Sequence, residues 1–374
     1  MPTTTAFPVS RGGAAPTPGE ARRDPAHAAR TAVPGERDSL FATPEWFDIW
    51  AGAFGGSRYG CWRDGNHEPS VIVPFVRWVE NIGGLKYAAV CSAQNFHSPS
   101  YDVVGSRGSP LDLDRMLVDL DVSVAAFHGV SAHSMLWGAA SRCDAGRVHR
   151  VPMEEAPYVD CTVGWDVYWA ARGKNLRANC ESVHRRLAAS GAAVHALHLP
   201  DEIARYRDVI YEIEASGWKG HLGTAMAQTA ATRAFYDRLL SDFSRRNLLR
   251  LFVLEVAGDV VAFELCTLYA GVLTGLKCGY RESHGKLSPG QYLRYRFLQS
   301  AFGDPQVELY NMLGPQSETK RRWSTGTEQL WSVRLFRRSP RGWLARSSLL
   351  ALRRLKDAAR QYVKPRRADA TAGR

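Results

Sequence analysis

Between Leu251 and Phe302 the order of apolar and polar residues is that of a β-meander followed by a helix. Three strands rich in Val, Leu and Phe run antiparallel, with Ala270-Gly271 as a two-residue turn between the last two. A polar loop from Tyr280 to Gly290 follows, and Ser288-Pro289-Gly290 opens a helix with Ser288 as a natural N-cap. A helix that starts beside the end of a sheet offers free backbone N–H groups to an anion.

The same alternation of apolar and polar residues divides the rest of the chain. Thr43-Pro44-Glu45 starts a helix carrying Trp46, Phe47, Trp50 and Phe54. Strands are expected from Tyr59 to Arg63, Ser70 to Val79 and Leu85 to Val90, then a helix over residues 111–128 and a short strand from Met135 to Trp137. In the second half, helices are expected from Trp165 to Leu187, Asp201 to Ala215 and Thr229 to Arg246, ahead of the meander and its helix. Short strands from Val307 to Asn311 and Trp331 to Phe336 close the pattern. Both halves therefore read as helix, antiparallel strands, helix, strand, which is an α+β unit occurring twice. The expected division is a disordered leader at 1–38, units at 39–158 and 159–338, and a basic helix and tail at 339–374.

Candidate chemistry concentrates in the meander. If Tyr269 pairs with Val272 across the turn, counting outward sets Glu264 directly opposite Lys277. Small residues, among them Gly275 and Gly279, would surround that pair and leave room for a ligand. The plainer reading is a structural cross-strand ion pair, worth about 0.2–1 kcal/mol. Glu214 ends the helix that leads into Gly217-Trp218-Lys219-Gly220, a glycine-rich loop in which Trp218 could stack on a planar or sugar ligand. Leu313-Gly314-Pro315 and the basic run Lys320-Arg321-Arg322-Trp323 follow the strand ending at Asn311. That run is either a phosphate contact or a solvated basic face. His97 has no partner at metal-ligand spacing, so no metal is expected, and no zinc-peptidase, hydrolase or P-loop string occurs.

Charge adds one element. The net charge is +11, yet residues 334–374 carry 13 Lys and Arg against two Asp, and the preceding residues sum to zero. Trp343, Leu344, Leu352, Leu355, Ala359 and Tyr362 recur at helical spacing among the tail arginines. A helix docked on its own domain and a peripheral contact with anionic membrane both fit. Nucleic acid is not expected, because no binding module accompanies the charge. Seven scattered cysteines without a CxxC pair fit a reducing cytoplasm.

Taken in order, these segments resemble the CelD-like branch of the GNAT acyltransferase superfamily, which is related to the Fem aminoacyltransferases. The resemblance rests on Glu-x-x-Gly-Trp-Lys-Gly from Glu214, Ala-Phe-Glu-Leu at Ala262–Leu265 and Leu-Lys-x-Gly-Tyr at Leu276–Tyr280. It continues through Ser-Pro-Gly-x-x-Leu at Ser288–Leu293 and Leu-Gly…Lys-x-x-Trp at Leu313–Trp323. It implies tandem GNAT-like subdomains with mixed, mostly antiparallel sheets flanked by helices. It also implies acyl-CoA as a co-substrate, with no permanently bound cofactor. The donor pyrophosphate would lie on Ser288, Gly290 and Gln291. Glu264, or else Glu214, would act as general base with Lys277 beside it. Trp218, Lys219, Tyr280, Asn311, Lys320 and Trp323 would line the acceptor side. The expected reaction is N-acyl transfer to an amine on a sugar or cell-envelope precursor. Alternatives are a Fem-like transferase using aminoacyl-tRNA and a non-catalytic accessory of polysaccharide assembly.

Overall fold

The computed structural model describes residues 33–64, 70–217 and 223–369, with side chains as far as Leu355. The elements of the first half, in chain order, are α1 (Pro44–Trp50), β1 (Tyr59–Arg63), β2 (Ile72–Ile82), β3 (Leu85–Ser92), α2 (Leu113–Asp119), β4 (Val124–Ser131), α3 (Met135–Arg142) and β5 (Val148–Asp160). The second half continues with α4 (Trp165–Ala170), α5 (Lys174–Ala189), β6 (Ala193–Leu197), α6 (Pro200–Ser216), α7 (Ala230–Arg245), β7 (Leu249–Val256), β8 (Asp259–Tyr269) and β9 (Val272–Tyr280). It ends with α8 (Pro289–Gly303), β10 (Leu309–Asn311), α9 (Glu318–Trp323), β11 (Gly326–Phe336) and α10 (Pro340–Asp369).

All strands join one mixed sheet in the order β1-β2-β3-β4-β11-β5-β10-β9-β8-β7-β6. The expected repeat of element order is present: three antiparallel strands, a helix, then a strand parallel to the third, as β3–β4 and as β9–β10. The halves exchange their last strands. β5 leaves the first half to pair with β10, and β11 returns to pair with β4, so β5 and β11 meet antiparallel at the centre. The sheet is thus continuous across the two halves, and the expected boundary at residue 158 falls inside β5.

Helices cover both faces. On one, Trp46, Phe47, Phe235, Phe243 and Phe263 pack with Leu251 and Leu265. On the other, α8 and α5 bring Leu293, Phe297, Val183 and Leu187 onto Ala262, Cys266 and Tyr310. These apolar layers are the main source of folding free energy, at about 25 cal/mol per Å² of apolar surface buried.

Several expectations are corrected. The helix expected over 111–128 ends early, and residues 124–128 instead belong to a strand that runs to Ser131, because a short run of small apolar residues suits a strand buried on both faces equally well. Met135–Arg142 is a helix rather than a strand, N-capped by Ser134, whose side chain accepts from Trp137 N. β5 and β6 were not expected at all. Thr43 caps α1 as expected, accepting from Trp46 N at 3.3 Å. Residues 33–38, expected in the disordered leader, are ordered against the body, with Gly35 N donating to Glu328 Oε2 at 3.1 Å and Arg107 bonding the Gly35 carbonyl.

Candidate active site

β9 and β10 pair in parallel only from Val272 to Thr274, and beyond that they diverge. Past the paired stretch, the end of β9 (Cys278, Gly279 and Tyr280) lines a cleft of about 360 Å³. Its buried part is lined by Glu264, Glu214, Arg294 and Trp323, and its more exposed edge by Tyr280, Ser288, Gly290 and Arg322. The corresponding divergence of β3 and β4 in the first half is filled by the chain itself. There Tyr101 N bonds the Gly129 carbonyl, and Gly129 sits at φ +67° so close to Pro99 that a Cβ would lie 2.1 Å from the Pro99 carbonyl oxygen.

The expected pairing of Glu264 with Lys277 does not form. The hairpin register is as anticipated from Tyr269↔Val272 to Cys266↔Gly275, and then a bulge at Leu276 shifts it by one residue. Glu264 therefore pairs with Cys278, while Lys277 pairs with Leu265 on the opposite face of the sheet. Each charge finds another partner. Glu264 Oε1 accepts the Tyr310 hydroxyl at 2.6 Å, and Oε2 lies 3.3 Å from Arg294 Nη2. Lys277 Nζ lies 3.4 Å from Glu214 Oε1 and donates to the Thr224 carbonyl at 2.9 Å, while Glu214 Oε2 accepts from Met226 N at 2.7 Å. The site thus has two buried acid–base pairs, one on each face of β8–β9, with Glu264 and Glu214 reaching the same cleft.

Sequence position explains the geometry. Gly275 admits Tyr310: a Cβ there would stand 2.7 Å from the hydroxyl and 3.2 Å from Glu264 Oε1. Gly279 admits α6, since a Cβ would lie 3.3 Å from Ile213 Cγ2. The space expected for a ligand is therefore filled by Tyr310 at Gly275, while Gly279 does line the cleft. Burial works to deprotonate Arg294, but Glu264, Tyr310 and Cys278 outweigh it and raise its pKa. Burial, followed by Glu264, pushes the Tyr310 hydroxyl well above its usual range, so it remains a donor.

The mouth of the cleft is the N-terminus of α8. Ser288 is in the left-handed region (φ 51°) and its side chain makes no cap bond, contrary to expectation. Its carbonyl instead accepts from Gln291 N and Tyr292 N, both at 3.1 Å. Gln291 ties α8 to α5, accepting from Asn179 at 3.1 Å and donating to Cys180 Sγ at 3.3 Å. Gly290 carries no side chain where Tyr280 crosses the helix start, 3.4 Å from where a Cβ would be. Leu176 of α5 also lines the cleft.

The other predicted residues separate. Trp323 lines the cleft. Lys320 donates to the carbonyls of Leu313 and Pro315, so it fixes the Gly314-Pro315 turn. Asn311 points to the opposite side, into a separate cavity of about 140 Å³ with Thr274 and Tyr269. Its Oδ1 accepts from Leu313 N at 3.0 Å. Trp218 and Lys219 lie outside the described residues. Sequence reasoning missed Arg294 and Tyr310. The available signal was chemical: a buried carboxylate on β8 requires a cation from whichever helix covers it.

His97 belongs to the Lys277 side. Its Nδ1 lies 3.1 Å from the Tyr236 hydroxyl, and its ring stacks on Phe54. Burial first, and Lys277 second, lower its pKa from 6.5 to about 4. Between those values the unfolded chain binds a proton that the folded chain does not. The stability due to neutral His97 is therefore complete above pH 6.5 and is lost as pH falls toward 4. Urea melts at pH 7, 5.5 and 4 should show a shallower decline for His97→Gln than for the natural chain, and equal declines would exclude His97 as a source.

A family model described as an acetyltransferase (GNAT) domain matches residues 174–321. No curated protein matches the sequence. Among solved structures, the C-terminal domain (DUF2156) of a protein assigned as a lysylphosphatidylglycerol synthetase from Agrobacterium fabrum superposes with a TM-score of 0.54 at 14% identity, covering 84% of this chain and 93% of that one. L-PGS from Bacillus licheniformis gives 0.50 at 14% identity, over 83% and 98%. FemX gives 0.50 at 8% identity, over 79% and 92%. At these identities the likeness is one of fold. Residues 174–321 thus match a GNAT acetyltransferase domain, and the fold of the whole chain is similar to that of FemX. No group of side chains suited to hold a metal ion occurs among the described residues.

Proposed function

We propose that the protein transfers an acyl group from acyl-CoA to an amine, on a sugar or a cell-envelope precursor. The observation that carries this reading is the cleft along the end of β9, with the N-terminus of α8 on one side and the buried carboxylate of Glu264 in its wall. The donor's pyrophosphate would lie at the start of α8, where the Gly290 N–H and the positive end of the helix dipole favour an anion, with Arg322 beside it. The thioester would reach inward toward Glu264. There the amine lone pair attacks the carbonyl carbon, Glu264 takes the amine proton, the C–S bond breaks, and Glu264 returns that proton to the departing sulfur. Glu214 and Lys277 act as positioning residues that hold the inner wall.

The Fem-like alternative draws support from the exposed Lys174, Arg185 and Arg186 of α5, the helix whose Leu176 lines the cleft, since a basic surface would suit a polyanionic donor. Thermal melts distinguish the two. An acyl-CoA at a hundredfold excess over its Kd should stabilise the fold by about 2.7 kcal/mol and raise Tm by several degrees. Arg322→Gln should reduce that shift. If acetyl- and longer acyl-CoAs leave Tm unchanged while an aminoacyl-tRNA raises it, the Fem-like reading replaces this one.

A further inference from the structure

The first half of the sheet carries a polar cluster that acyl transfer does not use. Its place is the face covered by α10. Ala345, Leu349 and Leu352 dock α10 on Ile82, Tyr87, Ala89, Val124 and Phe336. Arg346 and Arg353, two turns apart, share the flank of the helix next to this docked stripe. Beneath that flank, Arg334 of β11 lies directly opposite His149 of β5, with Ser332 one step along the same face.

These groups are incompletely satisfied. Arg334 Nε, His149 Nε2 and Ser332 Oγ are buried without a hydrogen-bond partner, and Ser332 is only 7% exposed. Arg334 is held at its far end by Glu80, 3.5 Å away. No hydrogen bond or ion pair to Arg346 or Arg353 is found among the described residues. Burial and the charges of Arg353, Arg334 and Arg346 together lower the pKa of His149, so all three cations act on one point. Three like charges around unsatisfied donors, faced by a single carboxylate, are unfavourable unless an anion completes the group.

We infer that Arg334, His149, Ser332, Arg346 and Arg353 form a binding site for a phosphate-class anion between α10 and the β11–β5 ladder. Guanidinium forks and a hydroxyl donor suit phosphate oxygens. The outer side of α10 favours a phosphate carried by a lipid. Trp343 and Leu355 are 66% and 67% exposed there, Leu344 is also exposed, and Trp78 and Leu85 are exposed on the sheet face that α10 covers. An apolar stripe beside an arginine flank is the arrangement of a helix lying at a bilayer surface.

The test compares the full chain with the Arg346→Gln, Arg353→Gln double variant. The probes are phosphatidylglycerol vesicles, phosphatidylcholine vesicles and inorganic phosphate. The rest of the basic tail is present in both proteins, so its general attraction cancels. Binding to phosphatidylglycerol vesicles should weaken roughly thirtyfold in the variant, with phosphatidylcholine bound by neither. The ligand-free variant should melt higher than the natural chain, because like charges have been removed; a purely structural role would lower it. Binding of inorganic phosphate that is lost in the variant, without vesicle binding, would identify a soluble phosphate as the source. Equal binding of the two proteins to every probe, or no binding by the natural chain, overturns the proposal. The acyl-CoA melting shift should be the same in both proteins, so this result and the acyltransferase reading stand or fall separately.

Discussion

Replacing Arg294 by Met should destabilise the folded chain by about 3–5 kcal/mol, the cost of leaving a buried carboxylate without its cation. The Glu264 side chain is 6% exposed and Arg294 14% exposed, so water reaches neither freely. Once the guanidinium is gone, Glu264 retains only the Tyr310 hydroxyl and must either stay charged in a poorly solvated site or take up a proton. Changing Glu264 to Gln in the same chain should recover most of the loss, because two neutral side chains of similar volume replace a compensated pair. Urea unfolding of the four chains in that cycle measures the coupling. Additive losses would mean that the two charges do not depend on each other.

The meander, its two-residue turn and the helix after Ser288 were legible because each is signalled locally, by alternation, by Ala270-Gly271 and by a Pro at the first helical position. The face of Lys277 was not. A bulge at Leu276 is a one-residue change, yet it turns Lys277 from the α8 side to the α6 side. Its advantage lies in contacts distant in sequence: Glu214 on α6 for Lys277 and Arg294 on α8 for Glu264. The exchange of β5 and β11 was hidden for a similar reason, since strand order is decided by partners more than 100 residues apart and not by propensity. Asn311 illustrates the limit of motif reasoning. It follows Tyr310 in a strand whose alternate residues face opposite sides, so Asn311 lines one cavity while Tyr310 reaches Glu264 on the other side of the sheet.

Placing an acid–base pair on each face of β8–β9 allows the two carboxylates to be separated experimentally. Glu264→Gln with Arg294→Met removes the proposed proton acceptor and its cation together, so stability should remain near that of the natural chain while turnover falls by about 10²–10⁴-fold. Glu214→Gln with Lys277→Met is the matching change on the other face. There the lost groups hold the Thr224 carbonyl and Met226 N–H, so the expected cost falls on stability and acceptor KM, with kcat within about tenfold of the natural value. Both double variants should keep their melting shift with acyl-CoA, because the groups proposed to hold the donor lie at the α8 N-terminus and not at either pair. Measuring kcat and KM for the two, with melting temperature as the control for folding, assigns the base. A large kcat loss in the Glu214 variant with little loss in the Glu264 variant would transfer the role to Glu214. The Tyr310–Glu264–Arg294 cluster would then be a structural anchor between α8 and the sheet.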